Sequence, residues 1–283
     1  MTQHMPQTAM PRPEPELVGV RNFRDVGGLP TADGRRLRRG RLYRSGHLAH
    51  ATEDDAFFLA SLSLHTIFDF RNSTDIAIEG LDVDLPGVRN VNMPLSDPAA
   101  GADFWTTVRD GDLPALRDAL GDGQGVDRMV AAYRALIQER TAEHGRLLRL
   151  IAEEESVPVL LHCAAGKDRA GTSIAVVLLA LGVDRAAIEE DYLLSNDLHR
   201  RYRITRGPDA NPVAVPEVME LISPLFEARV EYLAAAFDTI DEAWGSTDRY
   251  LAEGLGCTAE HLERLRALLL EDCEGGIGDS HDV

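Results

Sequence analysis

Short apolar runs alternate along the first two thirds of the chain with stretches whose apolar positions recur at helical spacing. This alternation predicts an α/β fold on a mainly parallel sheet. "RLYRS" (41 to 45), "HTIFDFR" (65 to 71) and "VRNVNMPL" (88 to 95) read as strands, with a helix from Thr52, its N-cap, to Leu62 between the first two. "VPVLLH" (157 to 162) follows an amphipathic helix over Ala142 to Glu154 and is apolar without alternation, as a central strand covered on both faces should be. The run from Gly171 to Leu181 is almost wholly apolar and stops at Gly182, which predicts a buried helix. Between Ser96 and Gly125, Asp, Gly and Pro abound without a sustained period, so a long loop with one short helix is expected. From Asp184 the pattern is helical to the end, interrupted by "TRGPDANPVAVP" (205 to 216), with Asp184, Ser246 and Thr258 as N-caps. These helices exceed what one small sheet needs, so a helical lid region is expected over about residues 184 to 245. The organisation expected is a mobile Pro-rich tail over 1–16, a single domain over 17–272 and a flexible tail over 273–283.

With 283 residues, of which 44% are hydrophobic and 27% charged, the chain can bury a full core and should be globular and soluble. Its net charge of -18 opposes nucleic acid and anionic membranes as partners, so an anionic ligand has to be drawn in by a local basic pocket. No run reaches transmembrane length, and the first residues lack the basic start and apolar core of a signal peptide. Cys163, Cys257 and Cys273 form neither a disulfide framework nor a CxxC pair. A cytoplasmic location is therefore expected, without structural zinc.

The stretch "LLHCAAGKDRAGTSIAVVLLA" (160 to 180) holds Lys167, the single lysine among 29 basic side chains. Cys163 follows a buried strand and Arg169 opens a buried helix, so the residues between them turn back at a helix N-terminus. Unpartnered backbone N–H groups gather there and, with the helix dipole, make an anion site. The turn is of a size to wrap a tetrahedral oxyanion, and arginine can hold two of its oxygens in a fork. The same field favours a thiolate at Cys163, a competent nucleophile toward phosphorus. A nucleotide P-loop would need glycine where Leu161 stands. A rhodanese-type sulfur carrier has a shorter loop, and a non-catalytic phosphate-binding module is the alternative from another class.

"HCAAGKDRAG" resembles the HCxxGKDRTG signature of the bacterial tyrosine phosphatase family, which has dual-specificity and phosphoinositide phosphatases among its relations. "VRNFRDVGGLP", "LYRSGHL", "FDFRN", "DYLLSND", "VEYLAAAFDTIDEAWGS" and "YLAEGLG" resemble family segments in the same order, from about Val18 to Leu270. The resemblance implies a cysteine-phosphatase-like fold and a phosphocysteine mechanism without metal or cofactor. Cys163 is then the nucleophile and Arg169 the phosphoryl-binding arginine, with the loop amides from Ala164 through Ala165, Gly166, Lys167 and Asp168 to Arg169 binding substrate. Lys167 and Asp168 are expected at the mouth, where the cation would suit a phosphoinositide headgroup as well as a phosphorylated protein. For the general acid, the resemblance points to Asp69; Asp168 is its local rival and Asp97 a third candidate. Asp69 could instead be a structural partner of Arg71 or Arg24. Arg24 and Asp25 are expected to brace the site, and Gly27 and Gly28 to form a tight turn. Arg200, Arg201, Arg203 and Arg206 suit either an anionic ligand or a solvated helix face. Ala170 departs from the family's threonine.

Overall fold

A computed structural model describes residues 16–98, 102–153, 155–202 and 216–273. The first elements are β1 (Arg24–Asp25), β2 (Arg35–Leu37), β3 (Leu42–Ser45), α1 (Glu53–Ser61), β4 (Thr66–Asp69), α2 (Ser73–Glu79) and β5 (Arg89–Asn92). Next come helices α3 (Ala102–Asp110), α4 (Leu113–Leu120), α5 (Gln124–Gln138) and α6 (Thr141–Ile151), then β6 (Val159–His162) and α7 (Arg169–Leu181). The rest is α8 (Arg185–Leu193), α9 (Pro216–Phe226), α10 (Val230–Trp244), α11 (Thr247–Arg249), α12 (Ala259–Leu269) and β7 (Leu270–Asp272).

The expected α/β class is found. Five strands run in the order β1-β3-β6-β4-β5, parallel except for β1. β6 is central and wholly buried. Val159 and Leu161 point into the larger core beneath α7, whereas Leu160 points into a smaller one with Tyr43, Leu59 and Ile67 under α1. A strand clad on both faces is apolar at every position, which explains its run without alternation. α7 is buried from Ala170 to Leu181 and ends at Gly182 with φ 81°. The expected caps at Thr52, Asp184, Ser246 and Thr258 all form, those at Thr52 and Thr258 as capping boxes.

The reading of residues 96 to 125 as mainly loop is corrected by α3, α4 and the start of α5. α4 is capped by Asp112 and carries its proline in the first turn, where a missing N–H costs nothing. α4, α5, α9 and α10 pack together as a helical layer, so these short segments draw stability from partners distant in sequence. The chain is also not helical to its end, because β7 pairs antiparallel with β2, Leu270 opposite Leu37. Two strands of three residues are too short to leave a periodic trace. Most of the 205–216 interruption lies outside the described residues.

The registers align Ser45, His162, Asp69 and Asn92 in one row at the carboxyl ends of the parallel strands. This is the edge of an open α/β sheet where ligands gather.

Candidate active site

β6 ends at His162 and α7 starts at Arg169, so residues 163 to 168 turn between the central strand and the buried helix. Gly166 makes the turn possible: its φ is 68°, and a Cβ there would lie 2.3 Å from the carbonyl oxygen of Ser45. Its N–H donates to Cys163 Sγ at 3.2 Å.

The outer side of the turn is held through its carbonyls. The His47 N–H donates to Ala164 O at 3.1 Å, and Asn22 Nδ2 donates to the carbonyls of Ala165 at 3.3 Å and Gly166 at 2.9 Å. Arg44 Nη2 donates to the carbonyls of Gly166 at 2.8 Å and Lys167 at 3.4 Å. With the carbonyls drawn outward, the N–H groups of Ala164, Ala165, Lys167, Asp168 and Arg169 meet no acceptor among the described residues. Successive free N–H groups at the start of a buried helix form an anion cradle, with the thiol at its base.

The brace behind the cradle is a buried ion cluster. Asp191 on α8 takes Arg24 Nε on one oxygen and Arg44 Nη1 on the other, each at 2.8 Å, with Arg24 and Arg44 only 1% exposed. Burial works against the Asp191 charge, but the two guanidiniums overcome it and pull the carboxyl down to about 2. Burial, together with repulsion from Arg24, lowers Arg44 to about 10. Both groups thus stay charged at neutral pH. Arg24 also donates to Asn22 Oδ1 at 2.5 Å, which aims the Asn22 amide at the loop. Arg24 is thus the brace expected of it, whereas Asp25 accepts from the N–H groups of Gly27 and Gly40 and braces the turn before β2.

Arg169 is largely buried and held by the Asp75 carboxylate on α2, with Nη1 also donating to Ser96 Oγ at 3.1 Å. Burial penalises its charge, but the adjacent Cys163 and Asp75 more than offset this and raise it above the ordinary range.

Lys167 is the main correction to the expected site. Its ammonium is not at the mouth: the residue is 3% exposed, and Nζ donates to Asp168 Oδ1 at 2.6 Å and to the Glu227 carbonyl at 3.1 Å. A buried ammonium needs such partners, and the ring of Tyr232 lies 5.8 Å away as a further one. The Asp168 side chain is partly exposed, at 29%. Its Oδ1 accepts from Lys167 and from Tyr133 Oη at 2.7 Å, while Oδ2 accepts from no described group.

Asp69 sits differently. Both of its oxygens take N–H groups from the Arg71 guanidinium, at 2.9 to 3.2 Å, and Oδ1 takes the Arg71 backbone N–H as well. Arg71 also pairs with Asp82, which lies 3.1 Å from His162 Nε2. Both Asp69 oxygens are thus engaged by Arg71. Asp97 is exposed. Arg201 donates to the Asn196 carbonyl, Arg200 lies 3.7 Å from Asp197, and Arg203 and Arg206 fall outside the described residues.

Asn22, Arg44, Asp75, Tyr133 and Asp191 escaped the sequence reading as site residues. Three of them stand inside the segments "VRNFRDVGGLP", "LYRSGHL" and "DYLLSND", but nothing local says that their side chains converge. Asp75 reads as an ordinary helix-capping residue, and it is that too.

A thiol at the base of an N–H-lined cradle closed by a guanidinium defines a phosphate-handling α/β protein. The tyrosine phosphatase family description matches residues 15–271, so the chain belongs to that family, and its activity is that of a phosphatase. A protein of Cupriavidus necator named as a tyrosine-protein phosphatase is 34% identical over 83% of this chain and 82% of its own length. The triple specificity protein phosphatase PtpB of Mycobacterium tuberculosis is 33% identical over 90% of this chain and 98% of its own length. Among solved structures, that of P. aeruginosa TpbA aligns over 72% of this chain and 91% of its own at 18% identity, with a TM-score of 0.29, a likeness too slight to bear on the site. Among the described residues, no helix is long and apolar enough to cross a membrane.

Proposed function

We propose that this phosphatase hydrolyses phosphotyrosine-type monoesters through a phosphocysteine intermediate, with Cys163 as nucleophile and no metal in the chemical step. The observation that carries this reading is the set of five loop N–H groups, without an acceptor among the described residues, around a thiol, with Arg169 opening α7 behind them. The thiolate attacks phosphorus, and the loop amides with Arg169 hold the equatorial oxygens as charge redistributes in the transition state. The bridging oxygen leaves with a proton from Asp168, and water then displaces phosphate from sulfur. Residues 17–272 act as one phosphatase domain, with the helices of about 184–245 as its lid region apart from α8, which belongs to the brace. Three free thiols suit a reducing, cytoplasmic setting.

The test is a side-by-side assay on phosphotyrosyl peptides, phosphoseryl peptides and phosphoinositides. Turnover is expected on phosphotyrosyl peptides first. Phosphoinositide turnover would need cations other than Lys167 for the headgroup, because its ammonium is already engaged. A protein that binds phosphate without releasing it from a simple aryl phosphate would instead be a binding module.

We assign the acid to Asp168 because it keeps one oxygen free while Asp69 spends both on Arg71. Asp168→Asn should slow substrates with poor leaving groups about 100-fold or more and spare activated aryl phosphates. Asp69→Asn should cost both kinds equally; the reverse pattern would move the acid to Asp69.

Ala170 is buried where the family signature carries a hydroxyl that can donate to the departing sulfur. Thr172 replaces it poorly, being about 200° further round the helix, and its hydroxyl is buried without a partner among the described residues. Hydrolysis of the intermediate is thus expected to limit turnover, with a burst of released alcohol on rapid mixing and a faster steady rate in Ala170→Thr. A linear time course with no gain in the variant would show that another group stabilises the leaving thiolate.

A further inference from the structure

His47 and His50 lie in the turn that follows β3, and Glu79 is the last residue of α2. His47 Nε2 is 3.3 Å from Glu79 Oε2, and the two imidazoles meet edge to face with their centroids 4.7 Å apart. One donor atom from each of the three residues falls within 4.8 Å of the others. His47 is buried, and its Nδ1 has no hydrogen-bond partner among the described residues. Glu79 is 9% exposed and takes the Tyr202 hydroxyl on its other oxygen. Burial opposes its charge, but the bonds from His47 and Tyr202 keep its carboxyl below the usual range.

The other cluster of this kind among the described residues is Asp69, Asp82 and His162, and it already has its cation, because Arg71 bonds to both carboxylates. Glu79 has no Arg or Lys partner among the described residues; its ion-pair partner is His47. We propose that His47, His50 and Glu79 form a site for a divalent transition-metal ion, zinc by its donor chemistry, on the rim of the phosphate-binding loop. Two imidazoles and one carboxylate suit zinc, whereas calcium and magnesium take oxygen ligands. At zinc–ligand distances of about 2.05 Å, tetrahedral ligands stand about 3.3 Å apart. The exposed His50, on a turn, can make the small closing movement this requires. The fourth position then opens on a hollow of about 190 Å³ lined by both histidines, Arg21, Gly46, Ala164 and Tyr202. Arg21 turns its Nη1 to the His199 carbonyl at 3.3 Å. Tyr202 orients Glu79 from behind, as a buttress to the ligand.

The site adjoins the chemistry at two points. His47 holds the Ala164 carbonyl of the loop, and Glu79 stands one helical turn after Asp75, which holds Arg169. An ion that ties Glu79 to the histidines fixes α2, so that Asp75 yields Arg169 to a phosphoryl group less readily. Zinc then acts as an inhibitor that raises KM. This consequence rests on the proposed phosphatase mechanism, while the metal site itself does not.

The experiment titrates metal-free full-length protein with cobalt(II) and reads the visible absorption of a tetrahedral ion. A single ion per chain, displaced by zinc, is expected, with the same spectrum in Cys163→Ser. His50→Ala and Glu79→Gln should abolish it, and Tyr202→Phe should weaken binding about tenfold. Because His50 is exposed, its alanine variant should fold and keep its metal-free activity on an aryl phosphate. The site is overturned if cobalt does not bind, or if the signal survives His50→Ala and Glu79→Gln but disappears in Cys163→Ser. Cobalt binding as stated with an unchanged KM would sink the coupling alone, and a metal-free protein that turns over no aryl phosphate would count against the mechanism instead.

Discussion

Cys163→Ser is expected to abolish turnover, by about four orders of magnitude or more, and to leave binding of phosphate analogues in place. The reason is chemical rather than structural. The cradle is built from backbone N–H groups and Arg169, none of which the exchange removes, while a serine hydroxyl is a far weaker nucleophile than a cysteine sulfur. The contact from the Gly166 N–H to Sγ becomes one to oxygen, so the turn should hold its shape. Vanadate or phosphate affinity measured by calorimetry, set beside turnover of an aryl phosphate, separates the two effects. A serine variant that keeps more than trace activity would disprove the covalent route. Arg169→Ala is the complementary case: it should lose phosphate affinity along with rate, because it removes the fork that the proposed mechanism sets on the phosphoryl oxygens.

Asp191→Asn is expected to cost about 3–5 kcal/mol of folding stability, the scale set by breaking a buried ion pair on one side. The amide leaves Arg24 and Arg44 buried without an anion, and both guanidiniums also hold the turn over residues 163 to 168, through Asn22 and directly. Denaturant unfolding at neutral pH should therefore show a lower midpoint, and activity should fall even where the protein remains folded, because the loop carbonyls lose their fixed donors. The pH dependence carries a sign. Asp191 titrates at about 2 in the folded protein, against about 3.9 in the unfolded chain. Its contribution is thus complete above the unfolded value and is lost as pH falls through the folded one. The difference in stability between wild type and Asp191→Asn should then be largest at neutral pH and shrink between about pH 4 and pH 2. A difference that stays constant on acidification, or a variant as stable as wild type at neutral pH, would mean that Asp191 does not carry the charge balance of the brace.

The sequence by itself determined much of what is contiguous, with α3 and α4, which pack on partners distant in sequence, as exceptions. The central strand, the buried helix, the six-residue step from Cys163 to Arg169 and the capping residues are all patterns within about a dozen positions, where periodicity and turn chemistry act directly. Candidate chemistry at Cys163 and Arg169 could be read from that stretch, because a strand end and a helix start already imply an anion site. What only the tertiary structure decided is where charged side chains find their partners. Lys167 looked like a cation for the ligand, yet its ammonium is claimed by a carbonyl 60 residues further along the chain. Asp69 looked like an acid at a strand end, yet its neighbour two residues on takes both its oxygens. Asp191 and Arg44 stand 147 residues apart and meet as the floor of the loop. Long side chains carry charge several ångströms from the backbone, and burial obliges each charge to be paired wherever the fold brings an opposite one. Local sequence records the charge and not the partner, so the cradle was legible before folding and, Arg24 apart, its supports were not.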